Sequence, residues 1–176
     1  KFSLTNDSLA EKPKMIKESY RMLHNVPVGV DLGKHNLIGL VGGEGAQGCY
    51  PLMYNLVTQI AAGNCYTDVK MAFLYDEDKH SEFWKFAKWL PHVWTEDKKT
   101  RLVAGNKSEA SEVLYEITKV LRMRAEERSS SSFYGKEIPK PYYIIFLEDS
   151  GLLEGELISK YIYNAEESVG ITTIMM

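Results

Sequence analysis

Short apolar segments alternate along this chain with stretches whose apolar residues recur at helical spacing. The apolar segments cover residues 37–41, 69–75, 101–104, 142–147 and 171–176. Near-continuous apolar runs of this length are typical of parallel strands that are buried on both faces. A stretch of helical periodicity separates the first two segments, so residues 37–75 are predicted to form a βαβ unit with a right-handed crossover.

Two helices follow clearly from the spacing of apolar residues. The first covers residues 50–62 and ends at Gly63, and its apolar face consists of Leu52, Met53, Leu56, Val57, Ile60 and Ala61. The second begins after Asn106, which is predicted to form a capping box with Glu109, and ends near Arg128. Its inward stripe is predicted to be Val113, Leu114, Ile117, Val120 and Leu121.

Three further segments are assigned from turn residues and composition. Residues 83–94 are rich in aromatic side chains and are predicted to form a short helix that stops at Leu90, because Pro91 follows. Residues 129–140 contain four consecutive serines and are predicted to be a flexible connection. Residues 152–167 are predicted to be helical, with Gly170 closing the segment before the last strand.

The chain is predicted to divide into a lead-in helical segment, residues 1–25, and one domain, residues 26–176. The lead-in helix is expected to pack through Met15, Ile16, Tyr20 and Leu23. In the domain, strands alternate with helices, which indicates a three-layer α/β sandwich with a mainly parallel central sheet. The absence of an initial Met and of a signal peptide suggests that the sequence is part of a longer protein.

Composition narrows the possible functions. The net charge of −3 and the isoelectric point of about 5.9 argue against a dedicated nucleic-acid surface, which needs clustered Lys and Arg. No apolar run approaches the roughly 20 residues of a membrane-spanning helix, so direct membrane insertion is not expected. Cys49, Cys65 and the four histidines show no metal-binding spacing, and the cysteines are expected to be reduced intracellular thiols.

The most distinctive stretch is a glycine-rich loop between the first strand and the first helix of the domain. It consists of Gly43, Glu44, Gly45, Ala46, Gln47, Gly48, Cys49 and Tyr50. The glycines at positions 43, 45 and 48 match the GxGxxG fingerprint of dinucleotide-binding proteins, which requires an acid roughly 20 residues further on. Asp76, the first acid after the second strand, comes later than that.

The same loop also matches the frame of a P-loop, GxxxxGK[ST], in which Lys neutralises phosphates and Ser or Thr holds magnesium. Here Cys49 and Tyr50 stand at those two positions. A thiol is mostly neutral at pH 7, and a phenol is too long to replace a small hydroxyl on the metal. The loop amides and the helix dipole could still hold an anion weakly, but a productive ATP site is not expected.

Acidic residues follow two other predicted strands, at residues 76–78 and at Glu148 and Asp149. Parallel strands bring their carboxyl ends to one edge of the sheet, where ligands bind in such folds. An apolar strand that ends in two acids is also the pattern with which P-loop enzymes hold magnesium and polarise the attacking water. The two acids are in reversed order here, so Glu148 and Asp149 form a degenerate, Walker B-like pair.

Several segments together resemble a known family. They are residues 26–31 (Val-Pro-Val-Gly-Val-Asp), the glycine loop, residues 89–93 (Trp-Leu-Pro-His-Val), residues 121–124 (Leu-Arg-Met-Arg) and residues 141–149. Their order and spacing resemble the FtsK/SpoIIIE-type ATPase modules of the type VII secretion ATPases, the EssC/YukB/EccC family. The resemblance implies a P-loop NTPase-like, RecA/FtsK-like fold and a module with a degenerate Walker A loop.

The leading hypothesis from this resemblance is a catalytically silent module of a secretion motor, with a structural, regulatory or partner-binding role in protein export. Its expected partners are other ATPase modules of the same chain, components of the secretion machinery and secreted substrates, at the cytoplasmic face of the bacterial membrane. No cofactor is expected. The alternatives are an active module that uses ATP and magnesium with an unconventional loop, and an NAD-dependent oxidoreductase that uses Gly43, Gly45 and Gly48.

Four other sets of residues have both a functional and a structural interpretation. Cys49 at a helix start could be a nucleophile, although no histidine is near it in sequence. His92 could orient a loop or cap a turn. Arg122 and Arg124 could reach a phosphate in a neighbouring module or form a solvated helix end. The three tryptophans, at positions 84, 89 and 94, could form a partner surface or pack in the core.

Overall fold

A computed structural model describes residues 8–22, 26–43, 46–130, 138–164 and 169–176 of the chain. It divides the chain into two compact units, Lys1–Val30 and Asp31–Met176. In the first unit, helix α1 spans Ser8–Ser19 and contains Pro13. The expectation that this helix packs was wrong for Met15, Ile16 and Tyr20, which are exposed. Leu23 lies outside the described residues, and the boundary predicted after residue 25 stays a prediction.

The second unit is built around a five-stranded, entirely parallel sheet. Its strands are β1 (Leu37–Gly39), β2 (Val69–Leu74), β3 (Val103–Ala104), β4 (Tyr142–Leu147) and β5 (Ile171–Met175), in the spatial order β1-β5-β4-β2-β3. All five predicted strands are present, β1 shorter than expected because Val41 is already exposed. The last strand in sequence therefore lies between the strand before the glycine loop and the strand before the acid pair.

Helices cover both faces of the sheet and make the three layers of the predicted fold. They are α2 (Tyr50–Gly63), α3 (Glu77–Trp84), α4 (Lys107–Ser130) and α5 (Ser159–Tyr163), with 3₁₀ turns at Leu32–Lys34, Ala46–Cys49, Ala87–Trp89, Pro91–Val93 and Ser150–Leu153. Alternate residues of β4 enter two separate cores. Ile145 and Leu147 pack with α4 and α5, whereas Ile144 and Phe146 pack with α2 and Trp84. The predicted α/β class with a parallel central sheet is confirmed, and it is consistent with a P-loop NTPase-like sandwich.

Helix α4 begins and packs largely as its sequence predicts. The Oδ1 atom of Asn106 accepts a hydrogen bond of 3.0 Å from the backbone N–H of Glu109, as an N-cap does. The second half of the predicted capping box is wrong, because the Glu109 carboxylate accepts from the N–H of Gly105 instead. The stripe is buried at Val113, Leu114, Ile117 and Leu121, each worth about 1.5–3 kcal/mol of burial free energy, and Val120 is partly buried.

The helix predicted over residues 152–167 was wrong. A 3₁₀ turn, a left-handed Gly155 with φ of 78° and the short helix α5 replace most of it, and residues 165–168 lie outside the description. Nζ of Lys107 lies 2.8–3.3 Å from the backbone oxygens of Gly151, Leu152 and Glu154. These carbonyls are therefore bonded to a side chain from α4, and the chain turns instead of continuing a helix.

Two other helix boundaries differ from those predicted from the sequence. Helix α3 begins at Glu77 and ends at Trp84, earlier than the helix predicted in residues 83–94, and Pro91 starts a 3₁₀ turn. Helix α4 continues through Ser129 to Ser130, into the predicted connection, and residues 131–137 lie outside the described part of the chain. No helix in the described ranges is both long and apolar enough to cross a membrane.

Candidate functional site

The acids predicted at the carboxyl edge of the sheet have different surroundings. Asp76 accepts a hydrogen bond from the N–H of Asp78 and pairs with Lys79 at 2.7 Å, so it caps the start of α3. Asp149 is exposed and accepts from the N–H of Gly151 at 2.8 Å, which caps the following 3₁₀ turn. Glu148 differs from both, because its side chain is only 4% exposed.

Three side chains surround the Glu148 carboxylate. Its Oε1 accepts hydrogen bonds from the phenol of Tyr50 at 2.5 Å and from Nε1 of Trp84 at 2.6 Å. Its Oε2 lies 2.8 Å from Nδ1 of His80. Since a carboxylate can only accept, His80 carries a proton on Nδ1 in this arrangement. Hydrogen bonds to a charged group are short and strong, so this buried carboxylate is well satisfied by the protein.

The ring of Tyr50 is held by its aromatic neighbours. It stacks on Phe83 with the ring centroids 4.0 Å apart and the planes 7° from parallel, and it meets the edge of Trp84 at 6.2 Å. Burial, and then the hydrogen bond to Glu148, raise the pKa of Tyr50 well above its usual value. The phenol therefore stays protonated and remains a donor to Glu148 at neutral pH.

Tyr54 extends the same aromatic cluster. Its hydroxyl donates to the backbone oxygen of Phe83 at 3.0 Å, which ties α2 to the end of α3. The ring of Tyr54 lies 6.2 Å from that of Tyr50, and burial raises the pKa of Tyr54 as well. The first two turns of α2 are thus fixed against α3 by two tyrosines, and Glu148 closes the cluster from β4.

The glycine loop itself shows no backbone need for its described glycines. Neither Gly43 nor Gly48 has a left-handed φ, and a Cβ at either position would meet open space. Gly48 belongs to the 3₁₀ turn that precedes α2. Glu44 and Gly45 lie outside the described residues, as do the side chains of Ala46 and Gln47. The internal packing of this chain therefore gives no reason for glycine at positions 43 and 48.

Cys49 faces the interior and not the loop. Its side chain is buried, and its Sγ lies 3.8 Å from the backbone oxygen of Leu40, just after β1. It provides no side-chain cap for α2. Burial of this kind does not favour the nucleophilic role considered from sequence, because a reactive thiol needs access to its substrate.

Among the described residues, the side chains at positions 49, 50 and 148 do not supply the groups that a magnesium nucleotide requires. Such a site needs an ammonium group for the phosphates, and a small hydroxyl with a free carboxylate for the metal. Here the thiol of Cys49 points to a carbonyl, the phenol of Tyr50 is bonded to Glu148, and Glu148 is occupied by three donors. Within the described ranges, no group of three or more His, Cys, Asp or Glu residues is placed to hold a metal ion.

Comparison with known proteins finds relatives that are named as ESX or type VII secretion system proteins. The chain is 29% identical to the ESX secretion system protein EccC of Geobacillus thermodenitrificans over 176 residues, 96% of this chain and 11% of that protein. It is 25% identical to the ESX secretion system protein YukB of Bacillus subtilis over 169 residues, again 96% and 11%. It is 24% identical to the type VII secretion system protein EssC of Staphylococcus aureus over 178 residues, 99% and 12%. The chain is homologous to EccC, YukB and EssC.

These relatives confirm the resemblance found in the sequence, and they cover nearly the whole chain. No protein-family model matches it. The chain spans about a tenth of the length of EccC, YukB and EssC, as the shares of 11% and 12% show. Homology therefore relates this chain to one segment of such secretion proteins, and the activity of that segment has to be inferred from its geometry.

The remaining candidates have structural positions. Nε2 of His92 lies 3.0 Å from the backbone oxygen of Asn64, and the ring is buried. Arg124 donates to the backbone oxygens of Val169 and Pro141 and lies over the ring of Tyr143. Arg124 therefore fits neither of its two interpretations, because it joins α4 to the sheet.

The other residues of those sets lie closer to the surface. Arg122 is exposed and pairs with Glu126 at 2.9 Å, as a solvated helix end does. The tryptophans divide between the two interpretations: Trp84 is buried, Trp94 is partly buried and Trp89 is 79% exposed. Only Trp84 of the three reaches the candidate site.

Sequence reasoning missed the partners of Glu148. His80 was not considered, and Trp84 was considered only as core or partner surface. A signal existed, since His80 and Trp84 are four residues apart and share one face of a helix. That helix follows β2, which pairs with β4 in register up to Leu74 opposite Leu147. The residue after Leu147 is Glu148, so the face and the acid are neighbours in the fold.

Proposed function

We propose that this chain is a catalytically silent, ATPase-like module of a type VII secretion protein, with a structural, regulatory or partner-binding role in protein export. Its relatives EccC, YukB and EssC support the assignment to secretion. The proposal that the module is catalytically silent rests on the buried carboxylate of Glu148, which is hydrogen-bonded to Tyr50, Trp84 and His80.

Energetics support this interpretation of Glu148. A hydrogen bond to a charged group contributes about 1.5–3 kcal/mol, and a buried donor left without a partner costs about 1–3 kcal/mol. A metal ion that took Glu148 away from its donors would have to offset several kcal/mol, and each 1.4 kcal/mol is about a factor of ten in affinity. The side chains thus stabilise a closed cluster in place of a nucleotide site.

The setting of the module is part of the same proposal. The chain corresponds to about a tenth of each relative, so its partners are other modules of the same longer protein, components of the secretion machinery and secreted substrates. It works at the cytoplasmic face of the bacterial membrane, as a degenerate Walker A module, and it needs no cofactor there.

The experiment measures nucleotide binding and hydrolysis by the purified chain. We expect no binding of ATP with magnesium by calorimetry and no phosphate release above buffer. Replacing both Cys49→Lys and Tyr50→Thr should raise nucleotide affinity at least tenfold if the loop keeps the shape of a P-loop. Cys49→Met combined with Tyr50→Thr is the matched control, because it makes the same change at position 50 without adding an ammonium group, and it should leave affinity unchanged.

Activity of the unmodified chain decides the matter independently of how the double variant folds. Hydrolysis that disappears in Glu148→Gln or Asp149→Asn would show that the site is active, and the proposal would fail. Calorimetric binding of NADH would instead favour the dinucleotide interpretation of the glycine loop.

A further inference from the structure

A second cleft lies away from the glycine loop. It has a volume of about 760 Å³, and its walls include Tyr66, Lys70, Pro91, Trp94, Glu96 and Lys98. Lys70 is the second residue of β2, so the cleft is at the edge where the parallel strands begin. The Glu148 cluster is at the opposite edge, where they end. A ligand in this cleft would therefore not contact the Glu148 cluster.

Lys70 is the unusual residue of the cleft. Only 5% of it is exposed, although lysine is rarely buried without a charged partner. Its Nζ lies 5.7 Å from the ring centroid of Tyr66, and it forms no ion pair within 4.0 Å with any described residue. Burial lowers the pKa of Lys70, whereas the charge of Glu96 acts in the opposite direction. A buried ammonium group without a close counterion is stabilised by an anion that enters the cleft.

The second cation of the cleft is presented by an ordered turn. Lys98 has a φ of 56°, the left-handed region that side chains other than glycine adopt rarely. Its N–H donates to the oxygen of Thr95 at 3.0 Å, and the Thr95 hydroxyl donates to Asp97 at 2.6 Å. These bonds hold residues 95–98 in a fixed conformation, with Lys98 in the wall of the cleft.

The aromatic walls are also fixed. The guanidinium of Arg101 lies 4.5 Å from the ring centroid of Trp94. The backbones of these two residues form an isolated antiparallel β-bridge. Tyr66, Trp94 and Pro91 supply flat apolar surface within the same cleft as the two ammonium groups. The cleft therefore combines a site for a negative charge with a site for an apolar body.

The charges favour a carboxylate over a phosphate. The two lysines and Glu96 leave an excess of one positive charge, which matches a monoanion. Phosphate groups are usually held by more donors, such as arginine forks or runs of backbone N–H groups, and Glu96 would repel a dianion. We propose that this cleft binds a carboxylic acid with an aromatic or aliphatic body, its carboxylate paired with Lys70.

The test uses N-acetylphenylalanine as the acid and its uncharged amide as the matched ligand, both titrated by calorimetry into the whole chain. We expect the acid to bind at least tenfold more tightly than the amide. Lys70→Met should weaken binding of the acid at least tenfold, and the milder Lys98→Met should weaken it about threefold. Lys119→Met is the control, because Nζ of Lys119 lies 5.6 Å from the ring centroid of Tyr115 but on an exposed part of α4.

Several results would overturn the proposal. The first is that the acid and the amide bind with equal affinity. The second is that the acid does not bind at about 10 mM. The third is that both lysine variants fold and bind the acid as tightly as the unmodified chain. Tighter binding of phenyl phosphate than of the acid would overturn the choice of a carboxylate. Acetyl-Ala-Ala-Phe separates two sources of the same chemistry. If this peptide binds more tightly than N-acetylphenylalanine, the natural ligand is a peptide C-terminus. If the two bind equally, the natural ligand is a free acid. Either result supports a carboxylate site.

Discussion

The phenol oxygen of Tyr50 lies 2.5 Å from Oε1 of Glu148, although the two residues are 98 positions apart in the sequence. In P-loop enzymes, a small hydroxyl after the glycine loop and an acid after a later strand hold a magnesium ion. Here Tyr50 and Glu148 are joined directly, with Trp84 and His80 completing the hydrogen bonds of the carboxylate. Glu148, which was predicted to belong to a degenerate acid pair, therefore accepts three hydrogen bonds, and their contribution to stability can be measured.

Glu148→Ala should lower the free energy of unfolding by about 2–4 kcal/mol, because three buried or half-buried donors lose their acceptor. Asp149→Ala is the neighbouring control. It removes only a cap on an exposed turn and should cost about 0.5–1 kcal/mol. Urea unfolding of the two variants measures both values. A Glu148→Ala chain as stable as the unmodified one would show that the carboxylate has no structural role.

Tyr50→Phe should cost about 1.5–3 kcal/mol at neutral pH, since it removes a hydrogen bond to a buried carboxylate. The difference should shrink above about pH 10, where tyrosine ionises in the unfolded chain. The pKa of Tyr50 is raised in the folded chain, so folding holds a proton that the unfolded state releases, and the stability due to Tyr50 falls as pH rises.

The slope of this loss is at most about 1.4 kcal/mol per pH unit for one group. Unfolding of both chains at about pH 8 and about pH 11 measures it. Other buried tyrosines, such as Tyr75 and Tyr143, also have raised pKa values, but they are common to both chains and cancel in the difference. A difference that stayed constant or grew with pH would contradict the assignment of Tyr50 as the donor.

Gly170→Ala should be clearly destabilising, by about 1–3 kcal/mol. Gly170 has a φ of 85°, and a Cβ there would lie 3.3 Å from the backbone oxygen of Pro139 and 2.9 Å from the Arg124 side chain. Gly63→Ala is the matched change, at the end of α2 with open space around it. It should be neutral or stabilising by up to about 1 kcal/mol. Thermal unfolding of the two variants should give shifts of opposite sign or clearly different size.

Lys107→Met should destabilise the chain by about 1–2 kcal/mol, because its ammonium group binds the backbone oxygens of Leu152 and Glu154 at 2.8 Å. Amide hydrogen exchange should rise in residues 150–158, which this lysine holds. Lys119→Met changes a lysine of similar exposure on the same helix, which pairs with Glu116 and lies over the ring of Tyr115, and should have an effect below about 0.5 kcal/mol. Equal effects of the two changes would rule out this role for Lys107.

The fold could be predicted from the sequence because its strands are recognisable from their own apolar residues. β4, and β2 apart from Lys70, are apolar on both faces, so their alternation with helices was enough to predict a parallel sheet. The segment after Asp149 was not predictable in this way. Its conformation depends on Lys107, which is 44 or more positions away in the sequence, and on the left-handed Gly155.

The candidate site was predicted only in part. The sequence indicated the loop and Glu148 as candidates, since these depend on residue types and spacing. The loss of chemistry expected from Cys49 and Tyr50 stays a prediction. The sequence did not indicate that Tyr50 binds Glu148, or that His80 and Trp84 complete the cluster. Those contacts depend on the distance between elements, which local patterns do not contain.

The position of β5 has a consequence for the order of assembly. It comes last in sequence among the five strands of this sheet, yet it lies between β1 and β4 and not at an edge of the sheet. Strands in a sheet are about 4.8 Å apart, so β1 and β4 stand about 10 Å apart only when β5 fills the gap. A nascent chain that still lacks residues 171–175 cannot bring β1 and β4 to their final spacing. The strand that comes latest in sequence therefore sets the distance between the strand before the glycine loop and the strand before Glu148.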